Sequence, residues 1–94
     1  MIIRIVQMAF KPEESEKFLT LYRKVEPHIK AFEGCASVEL LEDLSEPHAY
    51  ATYSLWHRAD DLERYRASDL FAATWKEVKR MLRQKAVATS YRKL

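Results

Sequence analysis

The chain has 94 residues, of which 48% are hydrophobic and 32% are charged, a composition that excludes an intrinsically disordered protein. Its 16 basic and 14 acidic residues give a net charge of only +2, so charge provides no argument for a nucleic acid or a membrane as partner. The length predicts one domain over residues 1–94, small enough that a partner subunit would help to bury its surface.

The first third of the chain predicts a strand followed by a helix. Residues 2–10 are rich in β-branched side chains, and their apolar residues do not alternate cleanly, which indicates a strand covered on both faces. Residues 15–32 carry apolar side chains three and four positions apart, which predicts one face of an amphipathic helix. We expect Pro27 to bend this helix and Gly34 to end it in a left-handed conformation.

The remainder predicts a hairpin, two helices and a last strand. Residues 35–44 and 49–57 read as strands, and the short polar turn between them favours antiparallel pairing. A short helix begins near Asp60. Ser68 is a typical N-cap for a second helix that continues to about residue 83. Residues 86–92 form the final predicted strand.

The predicted order of elements is β-α-β-β-α-β, which favours a ferredoxin-like α+β fold. Its four-stranded antiparallel sheet would carry the helices on one face. If the strands are apolar on both sides, the second sheet face must also be covered. Two sheets paired face to face in a homodimer would cover it.

Cysteine and histidine usage limits the location and the kinds of site. A single cysteine, Cys35, cannot form an internal disulfide, which favours a reducing cytoplasm, and we interpret it as a structural thiol. No segment approaches the ~20 apolar residues of a membrane span. The three histidines, His28, His48 and His57, lack the spacing of a helical metal site, so no metal is predicted.

Four short segments together suggest a family. They are an aromatic-rich strand ending in Trp56, an acidic helix start that leads to Tyr65, a Ser-Asp-Leu-Phe step at residues 68–71, and Glu-Gly-Cys at residues 33–35. In this order and spacing the chain resembles the antibiotic biosynthesis monooxygenase family over nearly its whole length. The resemblance implies a homodimer of ferredoxin-like subunits, with a pocket between each sheet and its own helices.

The resemblance also implies a chemistry. Family members with known activities oxidise aromatic polyketides or quinols with O2, and they use no flavin, haem or metal. An electron-rich phenolate can itself pass an electron to O2. The protein therefore needs only to bind the aromatic, favour its deprotonated form and exclude water. For this chain the resemblance implies a small aromatic substrate and no cofactor.

Three residues are expected to be catalytic by this resemblance. Trp56 matches a strand-end Trp that polyketide-oxidising relatives place at the active site. Thr52 stands four positions earlier, where those relatives have an Asn, and its hydroxyl lacks the geometry of an amide. Tyr65 lies near the position of a His in quinol-oxidising relatives, and its phenol is a partial substitute.

Four further residues are expected to bind the substrate: Tyr53, Phe71, Trp75 and His28. Each has an alternative reading, because aromatic residues at strand or helix spacing also build cores and a lone histidine is often at the surface. Haem degradation is not expected, since Trp75 falls where that branch of the family has its His ligand and an indole does not ligate iron.

Three classes of function follow from these patterns. The first is a cofactor-independent monooxygenase acting on a small aromatic. The second is a non-catalytic binding or stress-response module on the same scaffold, which the Thr at position 52 favours. The third, RNA recognition by the same element order, is disfavoured because the strand at residues 49–57 contains no glycine and no arginine.

Overall fold

Four strands and three α-helices make up the fold, seen in a computed structural model that describes residues 1–94. The strands are β1 (Ile2–Ala9), β2 (Cys35–Glu42), β3 (Ala49–Trp56) and β4 (Val87–Arg92). The helices are α1 (Ser15–Lys30), preceded by a short 3-10 turn (Pro12–Glu14), α2 (Ala59–Arg66) and α3 (Asp69–Met81). The predicted element order is confirmed, with α2 and α3 both lying between β3 and β4.

The strands form one antiparallel sheet in the order β2-β3-β1-β4. The register of β1 with β3 runs from Ile2 opposite Trp56 to Ala9 opposite Ala49. The two central strands are therefore separated in sequence by α1 and β2, as the ferredoxin-like fold requires. This arrangement confirms the predicted fold class and the antiparallel hairpin of β2 and β3.

Two predicted element ends were wrong for local reasons. β2 stops at Glu42 rather than at residue 44, because the Asp43 carboxylate accepts hydrogen bonds from the backbone N–H groups of Ser45 (2.8 Å) and Glu46 (3.1 Å). Those bonds start the turn before the strand can continue. α1 continues past Pro27 and ends at Lys30 rather than at residue 32, because the backbone N–H of Phe32 bonds to the carbonyl of Ile29, three residues earlier, at 3.0 Å.

The helices cover one face of the sheet, which we call the inner face. Val6 and Met8 of β1 pack there against Phe18 and Tyr22 of α1 and Val78 of α3, and all five are buried. A second, smaller cluster lies at the other end of the inner face. It consists of Ile2, Trp56 and Leu62. The predicted apolar face of the first helix is thus confirmed as part of the core, to which α3 adds Val78.

The opposite face of the sheet, the outer face, has no helix against it. β4 is exposed along its whole length, with Val87 and Tyr91 about half exposed at 56% and 54%. Leu41 of β2 is 43% exposed. In the register of the sheet these residues share a face with Ile5 of β1 and Tyr53 of β3. Apolar side chains exposed together on a sheet face and its edge are typical of an interaction surface.

Gly34 connects α1 to β2 in the left-handed conformation that the sequence predicts, with φ of 86°. A second constraint acts here that the sequence does not reveal. A Cβ atom at this position would overlap the carboxyl group of Asp61 in the first turn of α2. That carboxylate is buried and accepts hydrogen bonds from the side chains of Arg58 and Arg64. The hydrogen bond from Arg58 is the main reason that the pKa of Asp61 is lowered.

The helices were also compared with the requirements of a membrane span and of a metal site. None of them has the combination of length and apolar character needed to cross a bilayer. No group of three or more His, Cys, Asp or Glu side chains is arranged to hold a metal ion.

Candidate functional site

A partly enclosed cavity lies between the inner face of the sheet and the three helices. Most of the side chains around it are hydrophobic, and its volume is about 70 Å³. Two or three water molecules occupy that much space in the liquid, at about 30 Å³ each. Pockets for drug-sized ligands are roughly 300–1,000 Å³. The cavity therefore admits dioxygen as it stands, whereas an aromatic ring needs neighbouring side chains to move.

A larger groove adjoins the cavity between α3 and β4. Its volume is about 640 Å³, and it shares three lining residues with the cavity, Val6, Phe71 and Trp75. The rim of the groove is basic, because Lys79 and Lys85 both border it. The half-buried side chains of Phe71 and Trp75 thus stand between an open, ring-sized groove and the small, partly enclosed cavity.

A continuous series of aromatic rings links β3 to α3 along this cavity. Trp56 and Tyr65 are stacked, with ring centroids 4.9 Å apart and 26° between their planes. Tyr65 meets Phe71 edge to face at 5.2 Å, and Phe71 lies 6.0 Å from Trp75. Tyr65 reaches this position because it lies one helical turn after Leu62, which is buried under Trp56.

Trp56 is held in a fixed orientation by the sheet. It is completely buried, and its Nε1–H donates a hydrogen bond to the Ser54 hydroxyl at 3.0 Å. That hydroxyl in turn donates to the backbone carbonyl of Arg4 across the strand pair, at 3.5 Å. The indole therefore offers a rigid aromatic wall to the cavity, and its N–H is already used within the protein.

Two tyrosine hydroxyls contribute polar character to the cavity. Burial raises the pKa of Tyr65 to about 12, with a smaller contribution from nearby Cys35. Burial and then the neighbouring Glu26 carboxylate raise the pKa of Tyr22. Both phenols are therefore protonated at neutral pH and can act as hydrogen-bond donors to a ligand.

Tyr22 and Arg4 also line the cavity, although neither was predicted as a site residue from the sequence. Signals for both were present in the sequence. Arg4 is the one charged residue in the apolar run of residues 2–6, and Tyr22 carries a hydroxyl on the buried face of α1. A polar group in the middle of an apolar pattern must find a partner or a ligand.

The structure brings five of the seven predicted site residues to the cavity. They are Thr52, Trp56, Tyr65, Phe71 and Trp75. Tyr53 does not line it, because successive strand residues point to opposite faces and its neighbours Thr52 and Ser54 point inward. His28 does not line it either, since it is exposed on α1. Neither residue is placed to contact a ligand in this cavity.

Comparison with known proteins agrees with this architecture. Residues 1–77 match the sequence profile of a family described as antibiotic biosynthesis monooxygenase. No curated protein matches the sequence. The chain is also similar to several solved structures. Three of them are each less than 25% identical to it, so the likeness shows the fold alone.

The first of these structures is that of an antibiotic biosynthesis monooxygenase, at 21% identity and a TM-score of 0.91, over 100% of this chain and 99% of the other. A conserved protein from Methanosarcina mazei is 23% identical, with a TM-score of 0.92, and the match covers 100% of this chain and 94% of that protein. A protein from Mycobacterium tuberculosis is 17% identical, with a TM-score of 0.90, and the match covers 99% of this chain and 94% of that protein.

Proposed function

Because this chain belongs to the antibiotic biosynthesis monooxygenase family, we propose that it is a cofactor-independent monooxygenase. Its substrate is a small electron-rich aromatic, such as a quinol, an anthrone or a polyketide-like ring, which it oxidises with O2. The observation that supports this proposal most directly is the partly enclosed, aromatic-lined cavity between the inner face and the helices.

In the proposed reaction O2 is the oxidant, so the protein does not have to supply an oxidising group. For an anthrone, the ring methylene becomes a carbonyl. One atom of O2 forms that carbonyl, and the other leaves as water with the two methylene hydrogens. The four electrons gained by O2 come from the substrate carbon. In this scheme Trp56 provides a wall for the ring, and Tyr65 donates a hydrogen bond to a substrate oxygen.

Substrate entry is proposed to use the groove between α3 and β4. The groove is large enough for a fused ring, and the side chains of Phe71 and Trp75 stand between it and the cavity. Both side chains are half-buried, so they have room to rotate outward. Their movement would place the ring beside Trp56 and close the site against water once they return.

Oxygen consumption by the purified protein with anthrones and naphthoquinols tests this function. We expect uptake above a heat-denatured control, and a fall of about 10- to 100-fold in kcat/KM for Tyr65→Phe, because that change removes only the hydroxyl. Tyr91→Phe is the matched control, since Tyr91 lies on β4 away from the cavity. The absence of uptake across a broad panel would refute the proposal.

A non-catalytic binding module is the second candidate, and Thr52 is the observation that favours it. Thr52 lines the cavity where polyketide-oxidising relatives have an amide side chain, so one hydrogen-bonding group of their site is absent. A thermal-shift screen separates the two functions. A compound that raises the melting temperature and is recovered unchanged in the presence of O2 supports binding alone.

We also propose that the protein is a homodimer in which two outer faces pack together. The exposed apolar residues Leu41, Val87 and Tyr91 would be covered in that arrangement, and so would the unpaired edge of β4. A small domain gains most from such burial, because its own core is limited.

The dimer is tested by placing a charge at the centre of the outer face. Sedimentation equilibrium at micromolar concentration is expected to give twice the chain mass of 11.1 kDa for the natural protein and the single-chain mass for Ile5→Lys. Ala72→Lys, on the exposed side of α3, is the control and should remain dimeric. A natural protein that sediments as a monomer would contradict the proposal.

A further inference from the structure

One strand places a charged side chain within the inner face of the sheet. Arg4 of β1 lines the cavity, between the buried residues Ile2 and Val6 on the same face. In the register it lies opposite Ser54 of β3 and Ser90 of β4. Arg4 is half-buried, so part of its charge is removed from water, which is costly unless an anion pairs with it.

The pairing of Arg4 within the protein is incomplete. Its Nη1 donates one hydrogen bond, to the neutral hydroxyl of Ser90 at 3.0 Å. None of the seven ion pairs of the protein includes Arg4. A guanidinium has five N–H donors in a planar fork that suits an anionic oxygen. Most of those donors therefore have no partner in the protein.

The groups that surround Arg4 leave an excess of positive charge. From α2, Arg66 lines the same cavity and is paired with the exposed carboxylate of Glu63 at 3.1 Å. From β4, Arg92 lies on the same sheet face, opposite Ile2. Burial lowers the pKa of Arg4 most and Arg66 lowers it further, whereas Glu63 and Tyr65 raise it, and the net shift is downward. The other titratable groups near it are protonated phenols and a thiol with a raised pKa, namely Tyr65, Tyr22 and Cys35.

We infer that Arg4 binds a deprotonated oxygen of the ligand, and that the ligand is a weakly acidic phenol or enol held as its anion beside Trp56. This inference depends on the proposed function for the aromatic character of the ligand. Trp56 is the diagonal neighbour of Arg4 across the strand pair, a separation of about 7–8 Å that long side chains bridge. A ring lying on the Trp56–Tyr65 stack would thus present its oxygen to the guanidinium.

The surroundings favour a phenolate over a carboxylate. The cavity is mostly apolar, and a carboxylate keeps its full charge on two oxygens, so it loses more hydration on burial. A phenolate spreads its charge over the ring, which the aromatic stack contacts. Stabilising this anion would lower the pKa of the bound phenol and supply the deprotonated form that the proposed reaction requires.

Binding of 4-nitrophenol tests the inference without any oxidation, because only its anion absorbs visible light. Absorbance titrations are expected to show that the natural protein lowers the pKa of the bound phenol by about one unit, a tenfold preference for the anion. Arg4→Gln should abolish the shift and leave the affinity for neutral nitrobenzene unchanged. Arg4→Met is the second variant, since its side chain packs like the stem of arginine. Arg23→Gln is the matched control, because Arg23 is exposed on α1 and does not line the cavity.

Each outcome decides the assignment. A natural protein that leaves the nitrophenol pKa unshifted overturns it, as does an Arg4 variant that keeps the shift. If 4-nitrobenzoate binds with the same dependence on Arg4 and nitrophenol does not, the ligand is a carboxylate and the phenolate assignment is wrong. If the protein consumes no O2 but still shifts the nitrophenol pKa through Arg4, the assignment of the anion site stands and only the proposed monooxygenase activity is refuted.

Discussion

Replacing Trp56 with alanine is expected to lower the free energy of unfolding by about 3–5 kcal/mol. Trp56 is completely buried, stacks on Tyr65 and packs against Ile2 and Leu62. Alanine would leave a void at the end of the inner face where the sheet, α1 and α2 meet. Urea denaturation followed by circular dichroism measures this loss.

Trp56→Phe separates the structural role of this residue from its role in the proposed reaction. Phenylalanine keeps a ring against Tyr65 and loses only the hydrogen bond from the indole to Ser54, so a smaller loss of about 1–2 kcal/mol is expected. If the indole is a wall of the substrate site, kcat/KM for O2 consumption should fall at least about tenfold in protein that remains fully folded.

Phe10→Leu is the control for Trp56. Phe10 is also completely buried, but it does not line the cavity. The Phe10→Leu protein should be less stable than the natural protein but keep its activity at temperatures well below unfolding. If Phe10→Leu and Trp56→Phe lower activity equally, Trp56 is a core residue without a place in the site, which is the alternative reading that the sequence left open.

Gly34→Ala is expected to produce the second large effect. An alanine in the left-handed conformation costs about 1–2 kcal/mol, and its Cβ would also overlap the carboxyl group of Asp61. The overlap would force apart the β2 and α2 segments that meet here, and Asp61 would lose its alignment with Arg58. Chemical denaturation should therefore show a loss larger than the conformational cost alone.

A double-mutant cycle with Asp61→Ala isolates the two causes. With the carboxyl group removed, Gly34→Ala should cost only the left-handed penalty of about 1–2 kcal/mol. An equal cost in both backgrounds would show that the overlap with Asp61 contributes nothing. The melting temperature of each variant provides an independent check on the denaturation data.

The sequence was sufficient to predict the elements and their packing faces. The apolar spacing of three and four in α1 identified Phe18, Tyr22 and Ile29, which are buried. The left-handed Gly34 and the N-cap Ser68, whose hydroxyl accepts a hydrogen bond from the Phe71 backbone at 3.1 Å, were also predictable. These features depend on residues close together in the chain, where propensity and periodicity carry the information.

The composition of the cavity was decided by contacts between distant segments. Strand alternation alone could have excluded Tyr53, once Thr52 was assigned to the inner face. No local pattern, however, showed that α2 would lay Tyr65 on Trp56, or that Arg4 would face the same space as both. The small, partly enclosed volume and the adjoining groove are likewise products of how α3 lies on the sheet.

By itself the sequence determined the element order, the buried face of each helix and the residue types available for an aromatic site. Only the tertiary structure decided which of those residues share a cavity, that Asp61 fills the space beside Gly34, and that Arg4 lacks an anionic partner. The physical reason is that periodicity records which side of an element is apolar. The register between strands and the placement of helices over them depend on side-chain packing across the whole chain.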